Sequence, residues 1–176
     1  MRLSSILSGS AVGAAPALIG WRLRFRCHEA VICETEAYQG CADRACHASK
    51  GRTPRTDVLF RRPGTVYVYL CYGMHWMLNI VCDEIDEPAA VLIRGLRIDG
   101  IDARRSNGPG KVTKLLGIDG ALNGTLLGER LDLLPSLASP GRLCRGARVG
   151  VDYAGRLWAG KSWRWWMQGF PAATSS

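Results

Sequence analysis

The sequence predicts an α+β domain built on a mostly antiparallel β-sheet. Three observations carry this expectation. A chain of 176 residues suits one domain, taken as residues 1–176, and is long enough to bury a core. Several β-branched and aromatic runs are separated by turns containing Gly or Pro, as in Val66–Cys71 and Trp76–Val81. Long helical periodicities are few, so the strands must set the architecture.

Taken in order, the first residues, about 1–14, are small and polar and are expected to be loose. Ala15–Trp21 reads as a short helix ending at Gly20. Val31–Tyr38 reads as a strand, on which alternate residues share a face. Glu34, Glu36 and Tyr38 then point one way and Cys33, Thr35 and Ala37 the other. Gln39–Arg62 is polar and basic and should be loop with one short helix. Val66–Cys71 and Trp76–Val81, joined through Tyr72-Gly73-Met74-His75, read as a β-hairpin. Ala89–Arg94 is a third strand. Asn107-Gly108-Pro109-Gly110 breaks the chain before a helix at Lys111–Leu116. Arg148–Val151 and Leu157–Trp166 read as late strands separated by a turn at Ala154-Gly155.

Composition narrows the function classes. Apolar residues at 47% and charged residues at 22% exclude a chain disordered throughout. The balance of 23 Lys and Arg against 15 Asp and Glu gives +8, which points to a polyanionic partner. Seven cysteines without a CxxC read as free, buried thiols in a reducing compartment. Cys41, Cys46 and His47 lack a fourth ligand at any zinc-like spacing, so no metal is expected. Ser and Gly interrupt the apolar run of residues 1–20, and no stretch approaches the roughly 20 apolar residues of a membrane span. The chain reads as soluble and intracellular, with no membrane partner.

Three groups of residues suggest chemistry. Glu34 and Glu36 on one strand face would sit roughly 7 Å apart. That spacing suits the acid and base of an inverting glycoside hydrolase; the plainer alternative is an edge strand with solvated charge. Tyr72 falls on the hairpin turn, where it either enters a base stack as a wedge or packs back on its own hairpin. Lys50, Arg52, Arg55, Arg61 and Arg62 precede the hairpin, and Arg104, Arg105, Lys111 and Lys114 surround the Gly-Pro-Gly turn. Such clusters neutralise phosphates or remain solvated faces, and the helix start at Lys111 would favour a phosphate.

From about Ala15 to Pro171 the chain resembles the alkyladenine (3-methyladenine) DNA glycosylase family, in its mammalian-type form that also occurs in bacteria. The resemblance rests on ordered motifs: Glu34-Thr35-Glu36-Ala37-Tyr38, Ala45-Cys46-His47, Arg52-Thr53-Pro54-Arg55, Pro63-Gly64-Thr65-Val66-Tyr67-Val68-Tyr69, Tyr72-Gly73-Met74-His75, Asn79, Val91-Leu92-Ile93-Arg94 and Asn107-Gly108-Pro109-Gly110-Lys111. It implies one compact α+β domain with a curved sheet, surrounding helices and a protruding hairpin, and no metal or cofactor. It implies that Glu36 is the general base that activates water, open on the pocket floor, and that Arg94 helps to hold the water and the nucleotide. Tyr38, His47 and Tyr69 resemble the walls that sandwich a flipped base, Tyr72 the plug that fills the gap in the duplex, and Asn79 the side chain that crowds the 2-amino group of guanine. Arg52, Arg55, Lys111 and Lys114 are the expected contacts to the DNA backbone. The implied partner is double-stranded DNA carrying a damaged purine, bound by a monomer in the bacterial cytoplasm or a nucleus. The ending, Gln168-Gly169-Phe170-Pro171 and onward to Ser176, departs from the family's usual Gly-Ser-Pro pattern.

Two rival functions are separable. A bifunctional glycosylase/lyase needs an amine nucleophile, and none of the four lysines lies in the carboxylate or hairpin motifs. A non-catalytic nucleic-acid-binding module would have no use for Glu36 and Arg94.

Overall fold

Short strands run the length of the chain. The computed structural model describes residues 2–172. In chain order these form α1 (Leu3–Leu7), α2 (Ala11–Ala17), β1 (Arg22–Phe25), β2 (His28–Gln39), β3 (Val66–Cys71), β4 (His75–Val81), β5 (Ala89–Arg97), α3 (Pro109–Leu116), β6 (Leu131–Leu134), β7 (Leu143–Gly146), α4 (Arg156–Ala159) and β8 (Arg164–Met167). Among the described residues the strands make one sheet in the order β3-β4-β5-β2-β1-β6, and every pairing is antiparallel. The architecture is α+β, in one domain.

β2 organises the sheet. One of its edges pairs with β5 from Val31 to Gln39. The other pairs first with β1 and then, at Glu34–Glu36, with β8, which carries β7. The β2–β5 ladder shifts register at Ile32, Glu34 and Thr35, opposite Gly95. A Cβ on Gly95 would lie 2.5 Å from the Phe170 ring and 2.9 Å from the Glu34 side chain, so only glycine fits where the late chain crosses the irregularity.

The period of two in each strand sorts the side chains between two faces. Cys33 and Ala37 of β2, Val66 and Val68 of β3, Leu78 and Ile80 of β4, Val91 and Ile93 of β5, and Trp165 and Met167 of β8 enter the main core. That core is completed by residues of the helices, including Ile6, Leu7, Ala14, Val112 and Leu116. Thr35 shares this face and donates a hydrogen bond to the Ala15 carbonyl at 2.9 Å. The intervening positions turn to the opposite face, where Tyr67, Val81 and Ala90 pack with Val58, Leu59 and Phe60 of the 39–62 segment.

Several sequence expectations are corrected. Residues 2–14 are not loose: α1 and α2 bury Ile6, Leu7, Ala11 and Ala14, and the Ser10 hydroxyl caps α2 by accepting from the Gly13 amide. The helix expected at Ala15–Trp21 ends at Ala17, one residue after Pro16. The 39–62 segment holds two 3-10 turns, at His47–Lys50 and Asp57–Phe60. Arg148–Val151 is loop, because Gly150 takes φ 71° and breaks the extended run. Leu157–Trp166 divides into α4 and β8. All seven cysteines are free, but Cys27 and Cys41 are exposed rather than buried. Residues 173–176 of the unusual ending lie outside the described residues, as does Met1.

Candidate active site

The face of the sheet opposite the main core carries a cavity of about 1180 Å³. Tyr38 of β2, Tyr67 and Tyr69 of β3, Met77 and Asn79 of β4, and Leu92 and Arg94 of β5 line it, each from the alternate set that the helices do not cover. His47, Arg55 and Tyr153 line it from the loops.

The rings form one cluster. His47 meets Tyr69 edge-to-face with centroids 4.5 Å apart, and Tyr67 lies 5.3 Å from Tyr69. The His47 Nδ1 and the Tyr67 hydroxyl are hydrogen-bonded at 3.0 Å. Burial, with the Arg55 guanidinium nearby, lowers His47 to about 4, so the ring is neutral at physiological pH. Arg55 stacks 5.6 Å from the Tyr69 centroid at the rim. The Asn79 amide donates to the carbonyls of Tyr67 and Met77 at 3.2 and 3.3 Å, which fixes its orientation.

Glu36 is placed beside these rings, but it is shut off from solvent rather than open on the floor. Its Oε2 accepts from the Tyr38 hydroxyl at 2.9 Å, and its Oε1 from the Val149 amide at 2.8 Å. The Arg94 Nη1 lies 3.4 Å from Oε1. Burial raises its pKa above the usual carboxylate range, while Arg94, the Val149 amide and the Tyr38 hydroxyl hold it down. The competition leaves a carboxylate that takes up a proton more readily than a solvated one.

Glu34 is not a second catalytic carboxylate across a cleft. Its Oε1 accepts from the Nε of Arg94 at 3.1 Å and from the Nε of Arg164 at 2.6 Å, and its side chain has no exposed surface. The pair expected at inverting-hydrolase spacing instead shares Arg94, whose guanidinium bridges the two acids.

The hairpin tip extends from the cavity wall. Tyr72 is 85% exposed and Met74 70%, a large apolar surface at the end of two short strands. Tyr72 also holds φ 49°, a left-handed conformation that disfavours any residue with a Cβ. At that exposure the Tyr72 ring is not packed back on its own hairpin.

Of the residues expected on the DNA backbone, Arg55 borders the cavity. Arg52 bonds Asp57 and Asp86 and stacks on Phe60 at 5.0 Å. Lys111 donates to the Arg104 carbonyl and to Asn107, and Lys114 is exposed on α3. These three do not border the cavity, although Pro109 at the start of α3 does. Sequence reasoning missed Val149, Tyr153 and the buried Arg148–Asp43 pair. Their contacts join segments more than 100 residues apart, and no local spacing signals them.

The chain matches the family model described as methylpurine-DNA glycosylase (MPG) over residues 5–171. It is 46% identical over 141 residues to a Myxococcus xanthus protein named "Putative 3-methyladenine DNA glycosylase", across 78% of this chain and 72% of that one. A Frankia casuarinae protein of the same name is 36% identical over 183 aligned positions, 90% of this chain and 84% of its own. A Rickettsia rickettsii protein, again of that name, is 50% identical over 102 residues, 58% of this chain and 56% of its own.

Proposed function

The chain belongs to the methylpurine-DNA glycosylase family, and from that premise we propose that it excises 3-methyladenine and related alkylated purines flipped out of duplex DNA, using water activated by Glu36. It is a monofunctional DNA glycosylase of DNA repair, a hydrolase of N-glycosyl bonds. The observation that carries the finer reading is the Glu36 carboxylate, raised in basicity, hydrogen-bonded to Tyr38 and ion-paired with Arg94, both of which border the aromatic cavity.

In this reading Tyr72 enters the stack as the damaged nucleotide leaves it, and the base lies among Tyr38, His47 and Tyr69. Unstacking costs a few kcal/mol, least for a damaged pair. A purine alkylated at N3 or N7 is cationic, and electron-rich ring faces attract it by about 0.5–2 kcal/mol. A neutral His47 adds no opposing charge. Water reaching Glu36 donates to a second lone pair of Oε2, which still accepts from the Tyr38 hydroxyl. The C1′–N bond breaks and the base leaves neutral with the electron pair. The water oxygen bonds C1′, and its proton passes to Glu36. Arg94 balances the carboxylate before transfer, and Asn79 offers a fixed amide to the base edge. Arg52, Arg55, Lys111 and Lys114 neutralise phosphates.

The test is release of 3-methyladenine from alkylated duplex DNA by the parent and by Glu36→Gln. The expected result is release by the parent and a loss of at least about a hundredfold in the variant, the usual worth of a positioned general base. Equal release by both proteins refutes the assignment of the base.

A further inference from the structure

We propose that Arg148 and Asp43 form a positioning pair that sets the geometry of the Glu36 carboxylate; this rests on the reading of Glu36 as the base. The two side chains have no exposed surface. Arg148 reaches Asp43 through both terminal nitrogens, Nη1 to Oδ2 at 2.6 Å and Nη2 to Oδ1 at 2.9 Å. Such a planar fork fixes orientation as well as distance, which a lysine would not.

Its remaining contacts converge on Glu36. Nη1 also donates to the carbonyl of Ala37, the residue between Glu36 and Tyr38. The guanidinium lies over the Tyr38 ring at 4.9 Å and the Trp163 ring at 5.1 Å, and Nη2 donates to the Trp158 carbonyl. Tyr38 in turn donates to Glu36 Oε2. The next residue, Val149, supplies the amide that holds Glu36 Oε1. One guanidinium therefore controls a donor to each carboxylate oxygen, one through a ring and one through its own backbone.

Asp43 extends this control to the cavity wall. Its carboxylate accepts from the Gln39 amide at 3.2 Å and the Ala45 amide at 3.1 Å, two residues before His47. The pair thus ties the end of β2, the His47 turn and the Val149 loop to one point. A buried ion pair is a weak source of net stability, because desolvation offsets most of its attraction. Fixed geometry accounts for its placement better than stability does.

The groups facing Glu36 are Arg94 and Glu34 from the sheet, Tyr38 on its own strand, Tyr69 across the cavity, and the Val149 amide and Arg148 from the loop. Asp43→Asn keeps the shape and removes the charge that anchors the fork, so the Val149 amide is no longer held on Oε1. Loss of that donor makes ionisation of Glu36 harder, and the acid limb of the pH–rate profile moves up. Single-turnover excision at neutral pH falls about ten- to a hundredfold, the scale of a 1 Å misplacement. Affinity for abasic-site duplex stays within about threefold.

Arg148→Lys, which keeps the buried charge but not the fork, is the companion variant and gives the same measurements if Asp43→Asn does not fold. A lowered rate with an unmoved limb makes the pair merely structural and overturns the proposal. So does a parental rate in both variants while Glu36→Gln is inactive, a result that leaves the base assignment standing. If Glu36→Gln itself works at the parental rate, the assignment of the base has failed.

Discussion

Glu34→Gln separates the structural acid from its neighbour two residues on. Glutamine keeps a carbonyl oxygen that can accept from the Nε atoms of Arg94 and Arg164, so the change removes charge more than geometry. Its amide nitrogen occupies the Oε2 position, which has no hydrogen-bond partner among the described residues. At an effective dielectric constant near 20, the contacts at 2.6 and 3.1 Å carry roughly 6 and 5 kcal/mol of gross attraction. Most of that is offset by desolvation already incurred. The measurable loss is that of two buried guanidinium groups deprived of their shared anion, about 3–5 kcal/mol. For 176 residues the unfolding entropy is roughly 0.37 kcal/mol/K, so the melting temperature should fall by about 8–14 °C.

The same substitution has a kinetic signature of opposite tendency to that of Asp43→Asn. The Glu34 charge raises the pKa of Glu36, and Arg94 divides its attraction between the two acids. Without Glu34, Arg94 acts on Glu36 alone, and Glu36 ionises at lower pH. The acid limb of single-turnover excision should therefore move down, and the plateau should drop because a weaker base attracts the water proton less. Calorimetry gives the first quantity and a pH–rate series on alkylated duplex the second. An unchanged melting temperature, or a limb that moves up, would show that Glu34 does not share Arg94 with the base.

Two further outcomes follow from the site. His47 should stay neutral from pH 8 down to near 5, since burial lowers it from 6.5 to about 4; the unfolded chain takes up that proton first, so stability falls with pH from about 6.5 towards 4, and an imidazole NMR titration centred near 6.5 would contradict the burial argument. Tyr72→Ala should weaken binding to abasic-site duplex about tenfold or more, the worth of one aromatic–base stack, with little change in melting temperature because the side chain is exposed; undiminished affinity removes the wedge.

Much of the sheet is legible in the sequence because its longer strands are β-branched and aromatic runs whose residues alternate between the faces, interrupted in β2 at Glu34. The hairpin Val66–Cys71 with His75–Val81, the strand Ala89–Arg97 and the helix Pro109–Leu116 lie where β-branched periodicity and the Gly-Pro-Gly breaker place them. That same alternation is enough to set Glu36 and Tyr38 on one face of their strand. The strands that escaped, Arg22–Phe25, Leu131–Leu134 and Leu143–Gly146, are four residues each, too short for a period to register. Val149 and Val151 mimic a strand, yet the Val149 amide bonds a carboxylate instead of a neighbouring strand. Asp43 and Arg148 are 105 residues apart and carry no local mark of their pairing.

The buried setting of Glu36 is intelligible from the chemistry it has to support. A cationic purine is already a good leaving group, so the enzyme has little need of a strong acid and most need of a base held at one angle to C1′. A solvated glutamate would sample many rotamers and, near its ordinary pKa, would be a weak proton acceptor. Enclosure raises its basicity, and two directed donors with the Arg94 charge then restore enough stability to the anion for it to exist at all. Each group comes from a different part of the fold: Tyr38 from the same strand, Arg94 from the adjacent strand, and Val149 from a loop that the Asp43–Arg148 fork helps to hold in place. The last is the one not secured by sheet hydrogen bonds. The geometry of the base is therefore most vulnerable at the site farthest in sequence from it.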